Sequence, residues 1–320
     1  MSCHYLGFES GGTNLRAVLC DESEQCVGSA ETTRPAGATA RDTLMHLAEL
    51  GHGLRRRCVP KDSAVTAIGW GFGGPVDREN NRPVLNYHEA GWDRLDPAGQ
   101  LGEVFGVPVF IENDCKLAGL AEALQGTGVK RGLMVYITLG SGVGGGLIWN
   151  GEIVASGRYG EMEVGHLEVV PNGAICACGK KGCLEAYCSG WGLGERAYET
   201  ARPHAATSDV ARAILECPPV ERSRRLFAGW PHDDFARERV ADFLEKLAQV
   251  CAQLIQILAP ARIVLGGGVA GNAWLADELG KVVVLRLPER FRGVSAFHLG
   301  KLGPLAVPLG AAIYAKKQFC

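Results

Sequence analysis

Three cysteines stand within eight residues, at Cys176, Cys178 and Cys183, and His166 precedes the first of them by ten. Three thiolates and one imidazole are the donor set of a closed, tetrahedral, structural zinc site. Gly179 and Gly182 supply the bends that would bring the donors round one ion. With four protein ligands no position stays open, so zinc here would order a loop rather than catalyse. The plain alternative is a set of reduced cysteines in a loop. Glu163 and Glu185 flank the cluster. Carboxylates fixed on a metal-ordered loop could bind sugar hydroxyls, although local sequence alone reads them as solvated surface acids.

Asp114, beside Asn113, is a second candidate centre, at the junction of a strand pattern and a helix pattern. A carboxylate there can orient a hydroxyl and take its proton, or it can cap the helix that follows. Two glycine turns add a third element. "ESGGTN" (residues 9–14) and "TLGSGVGGG" (138–146) each follow a strand pattern. Backbone N–H groups in such turns converge and can cradle phosphate, and Thr13 and Ser141 bring hydroxyl donors. Neither turn has P-loop spacing, and neither opens a helix in the manner of a dinucleotide-binding motif. One turn alone reads as a plain hairpin. The pair, in matching contexts, argues for phosphate binding.

The elements that must hold these groups follow from apolar periodicity. Strands are predicted at 4–10, 17–19, 65–70, 107–112, 133–139, 147–150 and 263–265, and helices at 39–57, 115–124, 234–258 and 309–317. The 234–258 stretch repeats apolar residues from Val240 to Leu258 at helical spacing. Residues 201–230 are interrupted by proline and give no clear element. The opening order of strand, glycine turn and strand recurs from Leu133, a weak internal repeat that predicts two related lobes.

A chain of 320 residues suggests two domains. Hydrophobic residues at 47% give it a real core, and a net charge of −2 argues against a basic nucleic-acid surface. No apolar run reaches the roughly 18 residues that span a bilayer. The first residues, "MSCHYLGFESGG", run into a strand without a signal-peptide layout, so a cytoplasmic protein with no membrane partner is expected. Nine of the twelve cysteines are scattered and read as free thiols.

Taken together these segments resemble the ROK family of sugar kinases and sugar-responsive repressors. The resemblance covers nearly the whole chain. It is carried by "GFESGGTN", "GFGGPVD" (71–77), "FIENDC" (110–115), "LGSGVGGGLIWNGEIVASGRYG" (139–160), "EVGHLEVVP", "CACGKKGCLEAYCSG" (176–190), "IVLGGGV" (263–269) and "LGAAIYA" (309–315). It implies an α/β, two-lobed, actin-like ATPase fold, ribonuclease-H-like, with the active site in the interlobe cleft. One lobe would be 1–114 plus 304–320, the other 115–303 with the zinc site. By motif, Asp114 would be the catalytic base for the sugar 6-hydroxyl. Asn113, Glu163, His166 and Glu185 would bind other sugar hydroxyls, with Gly74 beside the sugar and His166 also a zinc ligand. Gly11, Gly12, Thr13, Gly140 and Ser141 would hold the ATP phosphates, Gly266, Gly267 and Gly268 the adenosine, and Mg2+ would accompany ATP. A homodimer is also implied.

The sequence departs from the family at three places. Glu9 stands where aspartate helps organise magnesium and phosphate, keeping the charge and reaching one methylene further. Cys115-Lys116 replaces a small residue and Asn, and Glu161-Met162 replaces Ala-Gly. The expected activity is ATP-dependent phosphorylation of an aldohexose at O6, glucose first. N-acetylhexosamines are the neighbouring substrates, and polyphosphate is an alternative donor. A catalytically weak sugar-binding sensor is the reading that Glu9 motivates. Repressors of the family carry a winged helix of roughly 70–80 residues ahead of the first glycine motif. Eight residues precede Glu9 here, which favours the kinase.

Overall fold

Strand, glycine turn, strand: the pattern that opens the chain and restarts at Leu133 produces two five-stranded sheets with the same order of strands. The computed structural model describes residues 2–35, 37–85, 91–128, 131–155, 157–158 and 162–320. Glu161, one of the departures from the family pattern, lies outside the described residues.

The chain runs through β1 (Cys3–Ser10), β2 (Asn14–Cys20), β3 (Cys26–Thr33), α1 (Ala40–Cys58), β4 (Ala64–Phe72), β5 (Val76–Asp77), β6 (Arg82–Pro83), α2 (Pro97–Phe105), β7 (Val109–Asn113) and α3 (Asp114–Ala121). It continues through β8 (Leu133–Leu139), β9 (Val143–Trp149), β10 (Glu152–Ile153), α4 (Glu185–Cys188), α5 (Gly190–Ala201), α6 (Asp209–Glu216), α7 (Arg222–Gly229) and α8 (Asp234–Leu258). It closes with β11 (Arg262–Gly266), α9 (Leu275–Arg286), β12 (Ala296–Leu299) and α10 (Ala306–Phe319). The sheets read β3-β2-β1-β4-β7 and β10-β9-β8-β11-β12. In each, the first strand is central and its two later neighbours on one side run parallel to it.

Two compact units result: residues 1–131, 146–162 and 301–320 form one, and residues 132–145 and 163–300 the other. In the first, alternation along β1 and β4 divides the side chains between two faces. Leu6, Phe8, Ile68, Trp70 and Phe72 join Leu44, Leu47 and Leu54 of α1 and Phe105 of α2 in one core. The opposite face carries Gly7 and Gly69, and α10 lies against it. A Cβ on Gly7 would sit 1.8 Å from Pro308 O, and one on Gly69 would sit 1.9 Å from Ala311 O. Only hydrogen at those positions lets the helix backbone come so close. Gly310 of α10 meets Leu117 of α3 in the same way.

The helix starts have local causes. Thr39 caps α1, and Asp42 returns the bond to the Thr39 N–H in a capping box. Ser208 accepts the Ala211 N–H at the start of α6, and its hydroxyl donates to Asp233, the cap of α8. The 201–230 stretch thus holds two short helices, α6 and α7, separated at Pro218-Pro219, where proline fits the entry to a turn but not a helix interior. In the second unit α8 buries Phe243, Leu247, Cys251, Leu254 and Ile255, the face expected from its spacing, and Val250 besides. Among the described residues no helix is long and apolar enough to cross a membrane.

Candidate active site

In the first unit, register decides which chain segments meet. Glu9 lies opposite Gly71, Ser10 opposite Phe72, and Phe72 opposite Asn113, so β1, β4 and β7 end side by side. Beyond these carboxyl ends come the turn 11–13, Gly73-Gly74, and Asp114, the usual location of ligand sites in open α/β sheets. Gly11 N–H closes the first turn on Asn14 O at 3.0 Å, leaving Gly12 and Thr13 exposed. Trp70 Nε1 donates to Ser10 Oγ at 3.1 Å and ties the end of β1 to β4.

The helix cap at α3 is Asn113, not Asp114. Asn113 Oδ1 accepts the N–H groups of Cys115 (3.0 Å) and Lys116 (3.3 Å), and its Nδ2 donates to Gly74 O at 3.2 Å. Asp114 is therefore the first residue of the helix. Its Oδ1 accepts the Cys115 N–H at 2.7 Å and the Cys115 thiol at 3.3 Å. Its Oδ2 lies toward Gly73, 3.5 Å from where a Cβ on that glycine would be. A Cβ at position 73 would only touch the second oxygen at van der Waals distance. Lys116, the other unusual residue, is buried.

Glu9 meets Arg16, its cross-strand partner on β2, with Oε2 3.1 Å from Nη1. Burial pushes the Glu9 carboxyl up to about 7. Arg16 opposes that shift, while the charges of Asp114 and Glu31 add to it. Arg16 was not among the residues singled out by motif. The signal for it was present, because a tight turn at 11–13 fixes a hairpin register in which 9 and 16 face each other.

In the second unit His166, Cys176, Cys178 and Cys183 converge, with all four donor atoms within 4.8 Å of one another. Two bridges, Glu168 to Cys183 and Ile175 to Lys181, shape the loop, and Gly179 and Gly182 take φ values of +86° and +76° at its bends. Cys178 and Cys183 sulfurs are 3.7 Å apart, and Cys176 Sγ is 3.7 Å from His166 Nδ1. Zinc–sulfur arms of about 2.3 Å give tetrahedral edges of about 3.8 Å, so the donor set fits that ion. Without a cation, burial pushes the Cys176 and Cys183 thiols up. Cys178 is held down, against its own burial, by hydrogen bonds from Lys180 N–H and the neighbouring thiols.

Two carboxylates border the cluster. Glu163 Oε2 is 3.9 Å from His166 Nε2, the ring nitrogen turned away from the sulfurs. Glu185 Oε1 takes the Cys176 thiol at 3.5 Å, and its Oε2 takes the Val143 N–H at 3.0 Å. Glu185 therefore links the cluster to the start of β9. The two remaining glycine turns also meet in this unit. A Cβ on Gly267 would lie 2.5 Å from Leu139 O, so the 266–268 turn packs on the end of β8 beside Gly140 and the exposed Ser141. Gly190, at the start of α5, donates its N–H to Gly140 O at 2.8 Å.

Comparison with known proteins gives the family and the fold. The sequence matches the ROK family over residues 5–318. It is 33% identical to a glucokinase of Thermotoga maritima, covering 98% of this chain and 97% of that protein. It is 30% identical to a glucokinase of Halalkalibacterium halodurans, covering 98% and 95%, and 30% identical to an N-acetyl-D-glucosamine kinase of Mannheimia succiniciproducens, covering 96% and 97%. The structure is similar to that of a ROK family glucokinase from Streptomyces griseus in complex with glucose and AMPPNP, with a TM-score of 0.81, 25% identity and 98% and 99% of the two chains covered. A ROK hexokinase from Thermus thermophilus gives a TM-score of 0.78 at 27% identity, covering 98% of each chain. The fold is the actin-like ATPase fold, ribonuclease-H-like in the strand order of each sheet.

Proposed function

The chain belongs to the ROK family and is an ATP-dependent sugar kinase, and from that premise we propose that its acceptor is the 6-hydroxyl of an aldohexose, glucose before other sugars. The observation that carries this reading is the state of Asp114. Asn113 does the capping, one Asp114 oxygen is pinned by the Cys115 N–H, and the other is directed to the Gly73 side. A fixed carboxylate with one oxygen so directed suits a general base.

In the proposed reaction Asp114 takes the proton of the sugar 6-hydroxyl as that oxygen attacks the γ-phosphorus in line. The bond from phosphorus to the bridging oxygen breaks and ADP leaves. Gly74, Asn113, Glu163, His166 and Glu185 bind and orient the sugar. The glycine turns of 11–13 and 140–141 supply N–H and hydroxyl donors to the phosphates, and Gly266–Gly268 border the adenosine. Glu9 is a hard oxygen donor beside the first phosphate turn and suits the Mg2+ that accompanies ATP, whose charge would offset that building on the phosphates. His166, Cys176, Cys178 and Cys183 would hold one zinc ion, which orders the loop bearing Glu163 and Glu185.

N-acetylhexosamine phosphorylation is the second reading, favoured by the 30% identity to an N-acetyl-D-glucosamine kinase. Direct measurement of sugar-phosphate formation over glucose, mannose, N-acetylglucosamine and N-acetylmannosamine, with ATP and with polyphosphate as donor, decides between them. The expected result is the highest kcat/KM for glucose with ATP. A higher value for an N-acetylated sugar would move the assignment. Sugar binding without phosphorylation from any donor would overturn the kinase reading.

A further inference from the structure

Arg16 lies outside the glycine motif, yet it makes the closest charged contact of the one motif residue that departs from the family. The β1–β2 and β2–β3 registers set Glu9, Arg16 and Glu31 in a row across three strands. Residues so paired project from the same face of a sheet. The guanidinium spans the row, with Nη1 3.1 Å from Glu9 Oε2 and Nη2 3.2 Å from Glu31 Oε1. The inner pair is largely buried, with Arg16 17% and Glu9 14% exposed, whereas Glu31 is 50% exposed.

The contact depends on side-chain length. An aspartate at position 9 would draw its carboxylate back by about 1.5 Å, one carbon–carbon bond. The 3.1 Å contact would open beyond hydrogen-bonding reach. Arg16 therefore grips a glutamate at this position and would not grip an aspartate. A glutamate also has one more rotatable bond to hold still, and a charge-assisted bond from a rigid neighbour does that. Anchorage to Glu31 keeps the guanidinium in place when the Glu9 charge turns to a cation. The charges facing Glu9 are Arg16 from β2, Glu31 from β3 and Asp114 from α3, so Arg16 is the one cation set against two acids among them.

We propose that Arg16 is a positioning residue for Glu9: it holds the longer carboxylate at the phosphate turn, so that Glu9 and Arg16 together replace the aspartate usual in this family. The proposal rests on the kinase reading, and deepens it by naming what makes Glu9 fit for Mg2+–nucleotide. Binding rather than turnover tests it. Full-length protein is titrated calorimetrically with ADP, with and without added Mg2+, and thermal midpoints are taken on the same samples.

Arg16→Met is expected to weaken Mg2+–ADP roughly tenfold or more, the worth of a hydrogen bond between charged groups, and to leave ADP without added Mg2+ unchanged. Glu31→Gln should stay within about threefold of wild type, as befits an exposed pair. In a Glu9→Asp background, itself weakened for Mg2+–ADP, Arg16→Met should cost nothing further, because the shorter acid no longer reaches the guanidinium. If Arg16→Met does not fold, Arg16→Lys carries the test. Its point charge replaces a two-pronged grip, and a loss of several-fold confined to Mg2+–ADP is expected. Equal losses with and without Mg2+ would overturn the proposal, since Arg16 would then simply attract phosphate. So would the same loss in the Glu9→Asp background, or none in either variant. Wild-type protein that binds no Mg2+–ADP would overturn the kinase reading itself, and the proposal with it.

Discussion

Cys178→Ser separates the metal from the packing around it. Cys176 and Cys183 are buried, so replacing either disturbs the core as well as the donor set, whereas Cys178 is half-buried. Structural zinc contributes about 10–16 kcal/mol in small peptide sites, which over four donors is about 3 kcal/mol each. Serine keeps the size but is a poor ligand at neutral pH, so affinity should fall about 10²-fold. Among the described residues no further cysteine or histidine joins the cluster: the Cys178 sulfur faces Cys183 at 3.7 Å, and the Glu185 carboxylate is occupied by Cys176 and Val143. Without the ion, the loop keeps only its hydrogen bonds, among them Cys176 N–H to Lys180 O and Gly182 N–H to Ala174 O, both at 2.8 Å. The assay is metal analysis of protein purified without chelator, followed by competition with a chromogenic chelator and by sugar kinetics. One zinc per wild-type chain, faster release from the variant and a raised sugar KM are expected. Wild-type protein without zinc, or a variant that holds it as tightly, would refute the assignment of these four residues.

Three other outcomes follow from the geometry. Asp114→Asn keeps the shape and removes the proton acceptor, so kcat should fall by about 10²–10⁴ while sugar still binds; wild-type turnover would sink the base assignment. Gly69→Ala places a methyl carbon 1.9 Å from Ala311 O and must push α10 off the sheet, at a cost of about 3 kcal/mol or more in urea unfolding. A loss under about 1 kcal/mol would show that α10 can dock without the close approach. Hydrogen bonds from Arg158 and Asn80 hold the Asp77 carboxyl down to about 2, against about 3.9 in an unfolded chain. A depressed carboxyl stabilises the fold above its unfolded pKa, and that share is lost as pH falls from about 4 toward 2. The stability gap between wild type and Arg158→Ala should therefore narrow over that range, and a gap independent of pH would exclude the pairing as its source.

The cysteine–histidine cluster was legible because it is local. Four donors within eighteen residues, with glycines at the bends, fix their own geometry with little help from the rest of the chain. Periodicity gave α8 its full 234–258 span, and the two glycine turns were placed correctly at the ends of β1 and β8. The repeat of strand, turn and strand suggested two related lobes, and the structure adds that the two sheets share one order of strands. Local sequence left Asp114 divided between base and cap, and only the fold gave the cap to Asn113, because that depends on which backbone N–H groups point back from the first turn of α3. Arg16 could be reached only through the hairpin register of the 11–13 turn, and Glu31 was out of reach for a related reason: β2–β3 pairing makes neighbours of residues 15 positions apart, and no motif window spans them. Nothing in the local sequence marks Gly7 and Gly69 as the contact points for α10, which lies some 300 and 240 residues onward. Sequence determines what a short segment can do by itself, through donor type, turn chemistry and apolar period. Which distant backbone will press against it is settled by packing, where contacts between segments far apart in the chain leave no periodic mark on either.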